Sequence, residues 1–272
     1  MDTQNDQAAR FRALHVPGTP LLLANAWDAT SARIVEAAGA AAIATSSGAV
    51  ANALGYPDGD ALPPAEAIAA TRRIAACLRV PLSVDAEGGY SDNPSAVAEL
   101  VLALLDAGAV GINIEDGAAP PELLAEKIRA VRGAAAARGR DLFINARTDV
   151  FLRRLTPADQ AHGETLRRLE LYRAAGADGG FVPYLTDLEQ LAAVTAASPL
   201  PINVLFTPSI APVATLAAAG VARISLGSAL CRASLTLVDH AAREFLHAGT
   251  YDGLGGASAL THQQVNQLFA PR

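Results

Sequence analysis

Four times in this chain an Ala-Gly pair closes an amphipathic stretch and a short apolar run follows: Ala38-Gly39, Ala107-Gly108, Ala175-Gly176 and Ala219-Gly220. Glycine takes the left-handed cap conformation without steric penalty, so each pair reads as a helix stop ahead of a strand. Candidate strands are Leu21–Ala26, Ala41–Thr45, Leu82–Asp85, Val110–Glu115, Leu142–Arg147, Gly179–Val182, Ile202–Leu205 and Ala222–Ser225. Helical patterns lie between them at Thr30–Ala38, Pro64–Leu78, Pro94–Ala107, Glu122–Ala137, Thr165–Ala175, Leu188–Ala196 and Ala211–Ala219. Eight strand-helix units of this length predict an α/β protein of the (β/α)8 TIM-barrel type with parallel strands. A doubly wound open sheet is the competitor, but no Gly-x-Gly-x-x-Gly fingerprint follows the first strand.

The chain has 272 residues, 51% hydrophobic and 18% charged, which suits one large domain spanning 1–272. Beyond Gly249, residues 250–272 form a C-terminal extension with a polar helix candidate, Ser258–Phe269, that could reach a neighbouring subunit. A net charge of −6 without a basic run argues against nucleic acid or an anionic membrane as partner. Arg, Asp or Gly interrupts every candidate membrane span, and Met1–Arg10 lacks the apolar centre of a signal peptide. A cytoplasmic protein is expected. Cys77 and Cys231 are isolated from one another and from any metal-ligand spacing, so zinc or disulfide chemistry is not expected. Lys127 is the only lysine and sits in a helical pattern, away from any strand end, which argues against a Schiff base. Surface or capping roles are expected for His15, His162, His240, His247 and His262.

Two strands end unusually. Pro81-Leu-Ser-Val-Asp85-Ala-Glu87-Gly-Gly-Tyr90 finishes in two acids, and Val110-Gly-Ile-Asn-Ile-Glu115-Asp116-Gly117 repeats the pattern. Unpaired carboxylates are costly to desolvate, so clustered acids at strand ends point to a shared hard cation, Mg²⁺ first and Mn²⁺ as the alternative. In a (β/α)8 barrel the active site lies at the carboxyl ends of the strands. Gathered there are Trp27 and Asp28, Ser46-Ser47-Gly48, Asp85 and Glu87, Glu115 and Asp116, Arg147-Thr148-Asp149, Asn203 and Gly227-Ser228, with Asp58 in the loop after the second strand. Asp58, Asp85, Glu87 and Glu115 are candidate metal holders, directly or through retained waters. Arg147 carries a planar fork that matches a carboxylate, and Ser46, Ser47 and Gly48 can present N–H groups and hydroxyls to anionic oxygens. Metal, arginine and N–H nest together describe a receptor for a small 2-oxo acid. Plainer readings stand beside these: Asp28 as a helix N-cap, Asp58 as a turn residue, Asp85 with Glu87 as a structural ion pair, Asp116 and Asp149 as partners of Arg147 or helix caps, Trp27 as barrel packing.

At these positions the chain resembles the isocitrate lyase/phosphoenolpyruvate mutase superfamily. The matching motifs are Asn25-Ala-Trp-Asp-Ala-Thr-Ser-Ala-Arg33, Thr45-Ser-Ser-Gly48, Leu54-Gly-Tyr-Pro-Asp58, Val84-Asp-Ala-Glu-Gly-Gly-Tyr90, Gly111-Ile-Asn-Ile-Glu-Asp116 and Asn145-Ala-Arg-Thr-Asp149, in order over most of residues 10–245. The resemblance implies a Mg²⁺-dependent barrel acting on 2-oxo acids or their precursors, assembled as a homodimer or homotetramer that exchanges C-terminal helices. It implies Asp85 as the nearest metal ligand, Glu87, Asp58 and Glu115 as holders of the metal's waters, and Arg147 with Ser46-Ser47-Gly48 as the grip on the substrate carboxylate. Two departures narrow the chemistry. Glu87 stands where aspartate is common, and Glu115 runs almost directly into a helix where the lyases carry a Lys-Lys/Arg-Cys-Gly-His loop and the mutase its gating loop. That points away from isocitrate cleavage and carbon–phosphorus chemistry. What remains is a carbon–carbon lyase for a small 2-oxo or 2-hydroxy dicarboxylate, such as an oxaloacetate decarboxylase, with catalytic weight on Asp58, Glu115 and Arg147 and substrate contacts from Trp27, Ser46, Ser47, Gly48, Asp85, Arg147 and Asn203. A hydrolase of oxaloacetate-like acids, a non-catalytic 2-oxoglutarate binder, and a phosphate site at Ser225-Leu-Gly-Ser228 are the other readings.

Overall fold

A computed structural model describes residues 3–254 and 259–270 of the chain. Nine strand segments form one sheet: β1 (Leu21–Leu23), β2 (Asn25–Ala26), β3 (Ile43–Thr45), β4 (Leu82–Asp85), β5 (Gly111–Glu115), β6 (Phe143–Arg147), β7 (Gly179–Phe181), β8 (Ile202–Leu205) and β9 (Arg223–Ser225). Their spatial order is β1-β9-β8-β7-β6-β5-β4-β3-β2, and every pairing is parallel. The two ends of that order, β1 and β2, are separated along the chain only by Ala24, so the sheet closes through its first strand. This is the expected (β/α)8 barrel, with helices alternating between strands and a helical C-terminal part.

Strand alternation sorts the barrel residues into two sets. Ile112, Ile114, Ile144 and Ala146 face outward and are buried against the helices Pro94–Asp106 and Pro121–Ala137, where Val97, Val101, Leu105, Ile128 and Val131 complete one core. Each such Ile, Val or Leu stabilises the fold by roughly 1.5–3 kcal/mol relative to exposure. The alternate positions face inward and include Asn113, Glu115, Asn145, Arg147, Asn203, Arg223 and Ser225. The apolar run is the outer wall, and the polar residues between line the lumen.

The floor of the barrel is covered by the helix Gln4–Ala13, which the apolar pattern did not announce. Phe11 meets Phe143 edge-on at 5.5 Å between ring centroids, and a Cβ at position 111 would lie 3.0 Å from the Phe11 ring, so Gly111 makes room for this plug. Arg12 fastens the plug to Asp141 at 2.8 Å and to Asp178. The strand expectations hold to within two residues at each end, while the helix expected from Thr165 begins at Ala158. Helices Ser47–Ala53, Val150–Arg153 and Ala229–Arg243 have no counterpart in the sequence reading. Ser258 of the polar C-terminal candidate lies outside the described residues; the rest of that segment is helical only over His262–Gln267. Among the described residues no helix is long and apolar enough to cross a membrane.

His15 departs from the expected surface role. It is 9% exposed and stacks on Phe143 at 4.0 Å, with Nδ1 donating to the Phe11 carbonyl at 2.9 Å. Burial, reinforced by the Arg223 charge above it and by Arg12, drives its pKa from 6.5 down to about 3. The unfolded chain therefore takes up a proton below about pH 6.5 that the folded chain refuses until about pH 3. Stability contributed by this site is complete above that window and falls as pH drops through it, by about 1.4 kcal/mol per pH unit. Urea unfolding across this range should show that slope in the wild type and a flatter profile in His15→Gln; identical slopes would mean that His15 titrates freely in the fold.

Candidate active site

The carboxyl ends of β4, β5 and β6 carry the acids and the arginine to one rim of the barrel. Asp85, the last residue of β4, accepts from the Ser47 backbone N–H at 3.0 Å and from the Ser47 hydroxyl at 2.8 Å, both on Oδ2. Among the described residues nothing donates to its Oδ1. Ser46 caps the short helix Ser47–Ala53, and Gly48 is where the Asp58 loop closes down: a Cβ there would lie 2.7 Å from the Asp58 carboxylate. The Ser46-Ser47-Gly48 segment thus touches two of the acids expected at the site.

Glu87 sits on a turn of left-handed backbone, with φ of 50° at Glu87 and 56° at Tyr90. Its side chain accepts from the Asp60 N–H and, at 3.3 Å, from the Tyr90 hydroxyl. Burial raises the pKa of Glu87, and the neighbouring charges of Asp60, Asp58 and Asp85 raise it further, against the Asp60 hydrogen bond. Glu115, at the end of β5, is pushed up to about 8, first by burial and then by Asp85, Asp149 and Glu87, although Arg147 opposes the shift. Glu87 thus lies in the field of Asp58 and Asp85, and Glu115 in that of Asp85 and Glu87.

Arg147 is more committed than its sequence position suggests. Nε and Nη2 grip Asp149 at 2.7 and 3.1 Å, and Nη1 pairs with Glu115. Burial works against its charge, but Glu115 and Asp149 outweigh it and keep the guanidinium protonated. Asp149 is fully buried and also receives Arg153 at 2.9 Å. Asp116 does not pair with Arg147: its Oδ2 takes Arg168 at 2.7 Å and Tyr172 at 2.6 Å, and its Oδ1 takes the Asp149 N–H. Asp116 is the buried anchor beneath this rim. Asp28 is an N-cap, accepting from Ser31 N–H at 2.7 Å, and half-buried Trp27 packs against the cluster of Val50, Ala51 and Leu62.

Asn203 lies in the lumen below the rim, 1% exposed, with its amide turned to Ser225, Asn145 and the Arg223 carbonyl. It belongs to a layer that motif reading passed over: Asn145 donates to Asn113 at 2.9 Å and to Asn203 at 3.0 Å, and fully buried Arg223 donates to Asn113 at 3.1 Å. Burial lowers the Arg223 pKa to about 9, and only the field of Asp85 supports its charge. The signal was present as polar residues at every second strand position, Asn113-x-Glu115, Asn145-x-Arg147 and Arg223-x-Ser225.

Does this donor set suit a divalent cation? Among the described residues no three Asp, Glu, His or Cys side chains form a ready-made cage. Mg²⁺ does not require one, because it keeps several waters and typically takes one or two carboxylates. The Oδ1 of Asp85, which takes no donor among the described residues, and the hard carboxylates of the neighbouring strand end and turn fit that pattern. The oxygen donors at this rim suit Mg²⁺ or Mn²⁺.

A parallel barrel whose acids and arginine gather at the carboxyl rim places its polar chemistry where (β/α)8 proteins carry their active sites. Residues 11–246 match the profile of the phosphoenolpyruvate phosphomutase family, and the chain belongs to that family, within the isocitrate lyase/phosphoenolpyruvate mutase superfamily. It is similar to an uncharacterized protein of Mycobacterium tuberculosis, 41% identical over 237 residues, covering 86% of this chain and 87% of that one. An oxaloacetate decarboxylase of a Bradyrhizobium species is 37% identical over 187 residues, 65% of this chain and 62% of that protein. A Burkholderia cenocepacia structure provisionally described as a phosphonomutase superposes with a TM-score of 0.84 at 42% identity, covering 88% of this chain and all of that one.

The anchor role of Asp116 is testable. Asp116→Ala should leave the Tyr172 hydroxyl and the Asp149 N–H without an acceptor and Arg168 with Glu164 alone, destabilising the protein by about 3–5 kcal/mol in denaturant unfolding. A change below about 1 kcal/mol would show that water replaces the carboxylate.

Proposed function

We propose that the chain is a Mg²⁺-dependent carbon–carbon lyase acting on a small 2-oxo or 2-hydroxy dicarboxylate through an enolate, with oxaloacetate decarboxylation as the representative reaction. The observation that carries this reading is the gathering of Asp85, Glu87 and Glu115 at one rim, with Asp58 beside Glu87 and Gly48 and with Arg147 paired to Glu115. Asp85 would hold the cation, and Glu87, Asp58 and Glu115 its waters. When bound, the cation supplies Lewis-acid stabilisation of charge developing on the substrate's carbonyl oxygen. The chain's own residues do the rest. Ser46, Ser47 and Gly48 offer hydroxyls and N–H groups to the substrate carboxylate, and Trp27 walls the pocket. Arg147 orients the same carboxylate once Glu115 turns to the cation's waters. A proton comes from water or from a rim hydroxyl, Tyr56 or Ser228. Similarity to an oxaloacetate decarboxylase supports the substrate class.

Two other outcomes keep the same platform. Hydrolysis of an oxaloacetate-like acid would release acetate in place of carbon dioxide. Binding of 2-oxoglutarate without turnover is favoured by one feature: only residues 116–120 separate β5 from the next helix, leaving no room for an acid-bearing loop. A panel of 2-oxo acids followed by NMR separates the three. With oxaloacetate and Mg²⁺ the expected products are pyruvate and carbon dioxide, and Asp85→Ala should lower the rate about a thousandfold. Full activity in that variant would refute the assignment.

The working unit is a cytoplasmic homodimer or homotetramer. Helix Ala229–Arg243 turns Leu235, Leu237 and Val238 outward at 51%, 56% and 61% exposure. An apolar groove of about 840 Å³ between Leu22, Ile34, Val35, Val213 and Leu230 offers a matching seat on the barrel wall. The helix of a second copy is its proposed occupant. Leu237→Asp with Val238→Asp should shift the sedimentation coefficient to that of a monomer; an unchanged oligomer, or a monomeric wild type, would contradict the exchange.

A further inference from the structure

The only lysine of the chain lies buried beside the acid turn. Lys127 projects from the helix Pro121–Ala137, is 5% exposed, and donates from Nζ to the Gly88 carbonyl at 2.8 Å. Its one carboxylate neighbour, Asp92, stands 3.6 Å away and is 92% exposed, so that pair contributes little. A desolvated ammonium is an expensive way to satisfy one backbone carbonyl, unless the segment holding that carbonyl needs restraint.

The turn does need it. Glu87 and Tyr90 are both non-glycine residues at positive φ, a conformation that costs roughly 1–3 kcal/mol each. Gly89, at φ 88°, is pressed against Val97, where a Cβ would come within 2.8 Å. The turn hangs on Gly89 N–H to Ala86 O at 2.8 Å, Glu115 N–H to Glu87 O at 3.0 Å, the Asp60 contacts, and Lys127. Among the described residues Lys127 is the cation hydrogen-bonded to it. Because its helix begins just after the connection from β5, the lysine ties the turn that bears Glu87 to the element that follows Glu115. It also lines a cavity of about 400 Å³ with Asp60, Gly88, Glu115 and Arg153, so its nitrogen stands at the border of the acid cluster.

We infer that Lys127 is a positioning residue for the cation site: through the Gly88 carbonyl it holds the strained turn that sets Glu87 beside the ends of β4 and β5. This inference rests on the metal-binding reading above. The test compares Lys127→Met and Lys127→Arg with the wild type, reading Mn²⁺ affinity from the free-ion paramagnetic resonance signal and local order from amide hydrogen exchange. In K127M the Mn²⁺ affinity should fall about ten- to a hundredfold, as for partners that orient metal ligands, with faster exchange confined to residues 86–90. K127R, which can reach the same carbonyl through the adjoining cavity, should recover most of the affinity. Wild-type Mn²⁺ affinity in K127M would overturn the inference. So would faster exchange across the whole barrel or failure to fold, since either marks a purely structural strut. If the wild type itself takes up no Mn²⁺, the functional reading fails, and exchange at 86–90 alone decides whether the lysine restrains the turn.

Discussion

Repulsion among desolvated carboxylates is the constraint around which the rim of this barrel is built. Asp85, Glu87 and Glu115 are carried to one place by the ends of β4 and β5, exposed Asp58 is brought beside them by the loop over Gly48, and Glu87 and Glu115 show the crowding in raised pKa values. A single guanidinium, Arg147, faces this group and divides itself between Glu115 and Asp149. One guanidinium shared between Glu115 and Asp149 leaves Asp85 and Glu87, among the described residues, without a cation partner in a partly desolvated rim. A divalent ion with its waters would offset the remaining charge, which is the physical argument behind the proposed metal site.

The same constraint reaches down the lumen. Barrels of this type usually fill their interior with branched apolar side chains. Here the middle layer is Asn113, Asn145, Asn203 and Ser225 around Arg223, which is fully buried and has no carboxylate in contact. Such a charge survives burial only in a supporting field, and Asp85 above it supplies one. Below, His15 answers the same charge by staying neutral. Rim, lumen and floor thus form one electrostatic column inside an apolar outer wall.

Much of this was legible in the sequence, because each device leaves a local mark. Apolar runs ended by Ala-Gly stops gave the barrel, and paired acids after Val84 and Ile114 gave the rim. What escaped depends on packing across distant segments. Nothing near Lys127 announces that its helix delivers it to Gly88, and nothing near His15 announces the Phe143 ring beneath which it is trapped. Asp116 looked like a partner for Arg147 because the two end neighbouring strands. The structure gives it to Arg168 and Tyr172, which come from a helix whose start the apolar pattern placed seven residues late. Asn203 was legible as a strand-end polar residue, but its depth in the lumen follows from register, which only strand pairing sets.

The most direct test of the account is anomalous diffraction from crystals grown with Mn²⁺. One anomalous peak per chain is expected within coordination distance of Asp85 Oδ1, with Glu87, Asp58 and Glu115 reaching it through water. A peak elsewhere, or no peak while Arg147 keeps its grip on Glu115, would contradict the claim that these acids converge on a divalent ion.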